Sequence, residues 1–141
     1  MGKTSYAFES NPELLWASLI GAAATAALFW ILHRNREMRE RLMPLCVLTL
    51  LHTLVFPLAC CFPHHSEYTE RTVSDHIVEN LAFAHVLFVP ALLLFLVFYV
   101  LPLVICSHRD RPIWLAAGIF LLNVLIQAFF ALYAYGAMFT R

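Results

Sequence analysis

Charge is what this chain has least of: Asp, Glu, Lys and Arg make up 13% of its 141 residues, against 62% hydrophobic. A soluble domain of this length has no interior large enough to hide so much apolar surface, which excludes the water-soluble globular class. Formal charge is zero, with 9 basic groups dispersed among 9 acidic ones. The basic patch that nucleic-acid binding demands is missing, so no nucleic-acid partner is expected. Internal repeats, low-complexity stretches and reaction-specific motifs are also missing. With no catalytic constellation to point to, the chain reads as a non-catalytic or at most electron-carrying protein.

What the chain does have is four apolar stretches joined by short polar segments. They predict an all-α, polytopic integral membrane protein, a single membrane domain over residues 1–141 folded as an antiparallel bundle of four transmembrane helices. The first crossing, about 14–32, is an uncharged run. At ~1.5 Å rise per residue it approaches the ~30 Å of a hydrocarbon core. Asn11-Pro12-Glu13 suits a helix start, since Asn caps free amides, Pro has no N–H to waste and Glu favours the positive end of the helix dipole. Four arginines (Arg34, Arg36, Arg39, Arg41) follow this run where a signal peptide would carry its cleavage site, so a cleaved leader is not expected.

The second crossing is expected at about 43–62, with Pro44 in its opening turn and Pro57 near its far end. The third, 77–106, contains Pro90 and Pro102 and is longer than a straight crossing requires, which predicts tilt, a kink or protrusion. The fourth occupies about 113–139. Basic residues resist translocation, and the connections 33–42 and 107–112 carry Arg34, Arg36, Arg39, Arg41, Arg109 and Arg111, against Lys3, Arg71 and Arg141 elsewhere. Those two loops are therefore expected inside, with both termini and the connection 63–76 outside; a bacterial inner membrane is the simplest host. Trp16, Trp30, Tyr99, Trp114, Tyr133 and Tyr135 lie toward the span ends, where interfacial aromatics belong.

Polar groups inside the spans are the functional pointers, because burying one without a partner is costly. His52 and His85 sit roughly 13–15 Å from the outer ends of their helices, in one layer of consecutive, neighbouring spans. Two imidazoles at matched depth are what axial ligation of a b-type haem requires. Each also suits a plain hydrogen bond across helices, to Thr49, Thr53, Asn123 or Gln127. Asn123 and Gln127, four positions apart, share a face with Ala116, Phe120, Ala131 and Ala134 that should pack inward, either as polar glue or as a quinone carbonyl's partner. In the first span Ala17, Gly21 and Thr25 form one stripe of small residues and Ser18, Ala22 and Ala26 another, both suited to close helix packing.

The expected outer loop gathers Cys60, Cys61, His64, His65, Glu67, Glu70, Asp75, His76 and Glu79. Thiolates beside imidazoles suit copper, zinc or mercury, so Cys60, Cys61, His64 and His65 are the candidate metal ligands; the alternative is a solvated loop with cysteines serving as small apolar residues. The adjacent Cys60 and Cys61 resemble the vicinal pair of small mercuric-ion transporters, a likeness of two residues in a different helix order. Arg71, His76, Glu79 and Asn80 faintly resemble the charged helix start of small four-helix glutathione-dependent membrane enzymes; that family carries the stretch at its second helix, with Asn where His76 stands. A four-helix quinone-linked thiol oxidase would need a Cys-x-x-Cys element, which this chain lacks. Cys46 and Cys106 fall near the expected inner face.

Three functions fit these observations. The first is a small integral subunit of a larger membrane complex, packing against or anchoring partner subunits in the lipid bilayer, with a haem or quinone carried near His52 and His85. The second is a metal-ion or solute transporter that collects its cargo at the outer Cys/His cluster. The third, a homo-oligomeric pore, would require a continuous polar stripe through the bilayer.

Overall fold

The computed structural model describes the backbone of residues 4–5, 12–60, 64–65 and 73–139, and side chains chiefly over 15–54 and 87–130. Apart from one short pairing the described chain is helical. Helix α1 (Pro12–Arg34) starts at the proline expected to open it. A single 3-10 turn (Arg36–Met38) leads into α2 (Arg39–Cys60). Helix α3 (Val73–Phe95) continues through a π-helical turn (Leu96–Val100) into α4 (Leu101–Cys106), and α5 (Arg111–Phe139) follows. The connection between α2 and α3 ends earlier than the expected 63–76, because Val73 to His76 already belong to α3.

Neither proline of the third stretch breaks it. Pro90 lies inside α3, and Phe95 and Leu101 on either side of the π turn, together with its last residue Val100, keep right-handed helical dihedrals. Pro102 has no N–H for the carbonyl four residues back, and its ring crowds that carbonyl. The wider turn sits directly before it, and π turns are a recurrent way for a helix to absorb such a local conflict without stopping.

Helix α1 packs on α2 and α5, α2 on α3, and both α2 and α3 on α5. Among the described residues three helical stretches are long and apolar enough to cross a membrane, over Leu15–Arg34, Leu87–Cys106 and Arg111–Phe130. The second expected crossing corresponds to α2, whose first turn carries Arg39, Glu40 and Arg41 and whose side chains are described only as far as Leu54.

The radial arrangement is compatible with a protein dissolved in lipid. Phe98 is 76% exposed and Leu132 77%, and Leu94, Ile105, Leu122 and Phe129 also turn outward. Buried between the helices are Leu28, Leu42, Leu45, Leu92, Ile113, Phe120 and Val124. Phe120 meets Phe95 edge to face with ring centres 5.6 Å apart. Beside the π turn, Leu96, Val100 and Val104 face Ala117 and Gly118 across an apolar cavity of about 300 Å³ that Trp114 also lines.

Contacts at the ends tie connections together in pairs. The Tyr99 hydroxyl donates to the Arg41 carbonyl at 3.1 Å, and Arg41 pairs with Asp110 at 3.5 Å. Asp110 in turn opens α5, its carbonyl accepting from the amides of Ile113 and Trp114. The two arginine-bearing connections therefore share one end of the helices. At the other, Thr4–Ser5 and His64–His65 form a two-residue antiparallel pairing, Thr4 opposite His65 and Ser5 opposite His64.

The buried and exposed aromatics should respond differently to truncation. In lipid the water-transfer part of the cost largely disappears, leaving lost packing, so Phe120→Ala is expected to cost about 1–3 kcal/mol. Phe98→Ala should stay within about 0.5 kcal/mol. Unfolding in mixed micelles followed by circular dichroism measures both; equal losses would contradict this packing.

Candidate functional site: a polar layer between helices

The chemistry within the described helices is concentrated where α1, α2 and α5 meet. Thr25 from α1, Thr49 and His52 from α2, and Asn123 and Gln127 from α5 are all buried. The four-residue spacing that put Asn123 and Gln127 on one face does turn them inward together with Ala116 and Phe120. Ala131 and Ala134 lie outside the described side chains.

Gln127 makes the longest-range bond. Its Nε2 donates to the Ala17 carbonyl at 2.7 Å and lies 3.4 Å from Asn123 Oδ1. A carbonyl oxygen has two lone pairs, so Ala17 can accept this bond in addition to its own helical one. Thr25 Oγ1 donates to the Gly21 carbonyl at 2.8 Å and Thr53 Oγ1 to the Thr49 carbonyl at 2.7 Å. The two hydroxyl oxygens are 3.4 Å apart across the α1–α2 contact. Each hydroxyl has one proton, so a bond between them forms only when one turns away from its own backbone.

Gly21 is what lets these groups converge. A Cβ there would lie 2.7 Å from Thr53 Oγ1 and 3.3 Å from Gln127 Nε2. Of the two small-residue stripes, Ala17, Gly21 and Thr25 form the buried one, as close packing requires. The Ser18, Ala22, Ala26 stripe does not serve that role throughout, since Ala22 and Ala26 are exposed. A four-residue spacing gathers small residues along one side of a helix, but which side is buried is decided only by the neighbouring helices.

His52 turns to a different neighbour. Its ring stacks on Phe88 of α3, with centres 5.4 Å apart and planes 26° from parallel. His85 stands one turn before Phe88 in α3, and its side chain lies outside the described residues. Asn123 Nδ2, Thr49 Oγ1 and Ser18 Oγ are buried without a hydrogen-bond partner among the described residues. An amide donor so placed retains its full capacity to bind an acceptor.

Of the candidate metal ligands, Cys60 ends α2 and His64 and His65 form the short strand, while Cys61 lies outside the described residues, as do the side chains of all four. Among the described residues no three His, Cys, Asp or Glu side chains converge. Cys46 is a buried free thiol and Cys106 an exposed one.

No family model, curated protein or solved structure matches this chain. The functional reading therefore rests on the polar layer and the surfaces around it. Sequence reasoning found the residues that α5 and α2 contribute but not the Ala17 carbonyl, since a backbone acceptor carries no signature of its own.

Gly21→Ala is expected to destabilise the protein by about 1–3 kcal/mol, because Thr53 is held to its own helix and cannot yield freely. Gly118→Ala, with nothing within 4 Å of the new methyl, should be neutral or gain up to about 1 kcal/mol. Thermal unfolding of the two variants side by side decides it: equal midpoints would mean that the α1–α2 approach is looser than described.

Proposed function

We propose that this chain is a small integral membrane subunit of a larger membrane complex, in which it packs against and anchors its partners. In this reading it is an antiparallel bundle of four transmembrane helices, crossing at about 14–32, 43–62, 77–106 and 113–139. The observation that carries the proposal is the division of labour between inside and outside. Polar side chains are spent on joining the chain's own helices, while large apolar side chains cover the outer faces of α1, α2, α3 and α5. An apolar face between lipid and partner loses little hydrophobic free energy in exchanging one for the other, so packing and small-residue contacts decide which it meets.

The contact of Arg41 with Asp110 supports a common side for the loops 33–42 and 107–112, and the excess of arginine in them favours the inside. Both termini then face outward, in keeping with a bacterial inner membrane. Reporter tags inserted after His33 and after Ser66 are expected to emerge in opposite compartments, and gentle extraction should recover the chain within an assembly larger than itself. Recovery as a lone monomer from its native membrane would end the subunit reading even if the reporters behave.

One observation favours a second reading, that the subunit carries a haem or quinone between α2 and α3. The stacking of His52 on Phe88 turns it toward α3, the helix whose His85, one turn before Phe88, would supply the second axial ligand. Spare donor capacity at Asn123 is of the kind a quinone carbonyl uses. Under this reading the complex shows a haem absorption band that His52→Ala abolishes while the assembly survives. A complex without the band, in which His52→Ala lowers only the unfolding midpoint, leaves His52 as a packing residue.

A further inference from the structure

The arginine-rich connection between α1 and α2 is more than an orientation signal. Its cations are not equivalent. Arg34 lies over the ring of Trp30, its guanidinium 5.1 Å from the ring centre, and Arg41 is paired with Asp110. Arg36 and Arg39 form no ion pair among the described residues, and with His33 they line a cavity of roughly 470 Å³. Its remaining walls are Phe29, Leu32 and Met43. Neither Glu37 nor Glu40 lines it, although both are neighbours in sequence, so every charged group at its surface is a cation.

The layout has two ends of opposite character. Phe29 and Met43 lie within the apolar stretches of α1 and α2, whereas His33, Arg36 and Arg39 lie where those stretches give way to the polar connection. The C-terminus of α1 works against an anion through its helix dipole. That opposition is blunted because Asn35 occupies two of the end carbonyls: its backbone N–H donates to those of Ile31 and Leu32, and its Nδ2 donates to Ile31 at 2.8 Å. Two full guanidinium charges exceed what remains of a half-charge dipole.

We propose that this groove binds the phosphate of an anionic phospholipid, with Arg36 and Arg39 gripping the headgroup and an acyl chain lying along Phe29 and Met43. A free phosphate ion offers the same oxygens to the arginines but nothing to the apolar walls, which is why the lipid is the occupant named. Basic pockets between membrane helices on the arginine-rich side are where such headgroups lodge. The site requires only that α1 ends at a membrane face; it stands whether or not the chain works within a larger assembly.

The test uses the full chain in detergent micelles with phosphatidylcholine, titrated with phosphatidylglycerol and read by native mass spectrometry. One phosphatidylglycerol per chain is expected to be retained, and R36Q/R39Q should bind it about thirtyfold more weakly, at about a factor of five for each charge removed. R109Q/R111Q, which removes the same charge from the other inner connection, should bind like the unaltered chain. Equal retention by R36Q/R39Q, or equal loss in R109Q/R111Q, overturns the site in favour of diffuse surface charge. Displacement of the lipid by inorganic phosphate at matching concentration overturns the lipid as its occupant. Should R36Q/R39Q lose its helical circular dichroism, R39Q alone must weaken binding and R36K/R39K must largely keep it.

Discussion

A polar group in hydrocarbon has no water to fall back on, and most of this structure follows from that constraint. Backbone amides meet it by being helical over nearly all of the described residues. Side chains meet it by turning toward one another: Gln127 reaches the Ala17 carbonyl, Thr25 and Thr53 each bond their own helix within reach of the other. Because lipid tails are as apolar as leucine, burial of Leu28 or Phe120 cannot by itself tell the helices which faces to join. The polar layer supplies that instruction, and Gly21 supplies the closeness that makes it effective.

The same constraint explains how the ends are built. Arg41, half out of the apolar region, is fixed between the Asp110 carboxylate and the Tyr99 hydroxyl that its carbonyl receives. An exposed ion pair contributes little to stability. Its use here is geometric, holding the connection before α5 against the start of α2. Arg34 is accommodated differently, against the face of Trp30. The basic residues that look alike in sequence thus divide into one paired with a carboxylate, one stacked on an indole, and two turned toward a groove.

Much of this was legible in the sequence, and the rest was hidden for specific reasons. Pro12 as a helix start, the inward face of Asn123 and Gln127, and the small stripe from Ala17 to Thr25 all follow from local spacing. The start of α3 at Val73 was not visible, because Ser74, Asp75 and His76 read as loop residues while being compatible with a first helical turn. Arg41 with Asp110, and Thr4–Ser5 with His64–His65, are pairings between distant residues that no periodicity announces. The exposure of Ala22 and Ala26 shows the limit of a small-residue pattern: it marks a face that permits close approach, and another helix must be there to use it.

The π turn at Leu96–Val100 has a bearing on how the third stretch is to be interpreted. It holds an additional residue within one revolution, so everything from Leu101 onward is rotated by roughly 100° from where an unbroken α-helix would carry it. An apolar stripe traced on a helical wheel from Val73 to Cys106 therefore slips at this point, and residues before and after it belong to separate wheels. Deleting one residue there would restore a regular helix and leave Val104 on the wall of the cavity it shares with Ala117 and Gly118, whereas straightening the turn without a deletion would swing it away.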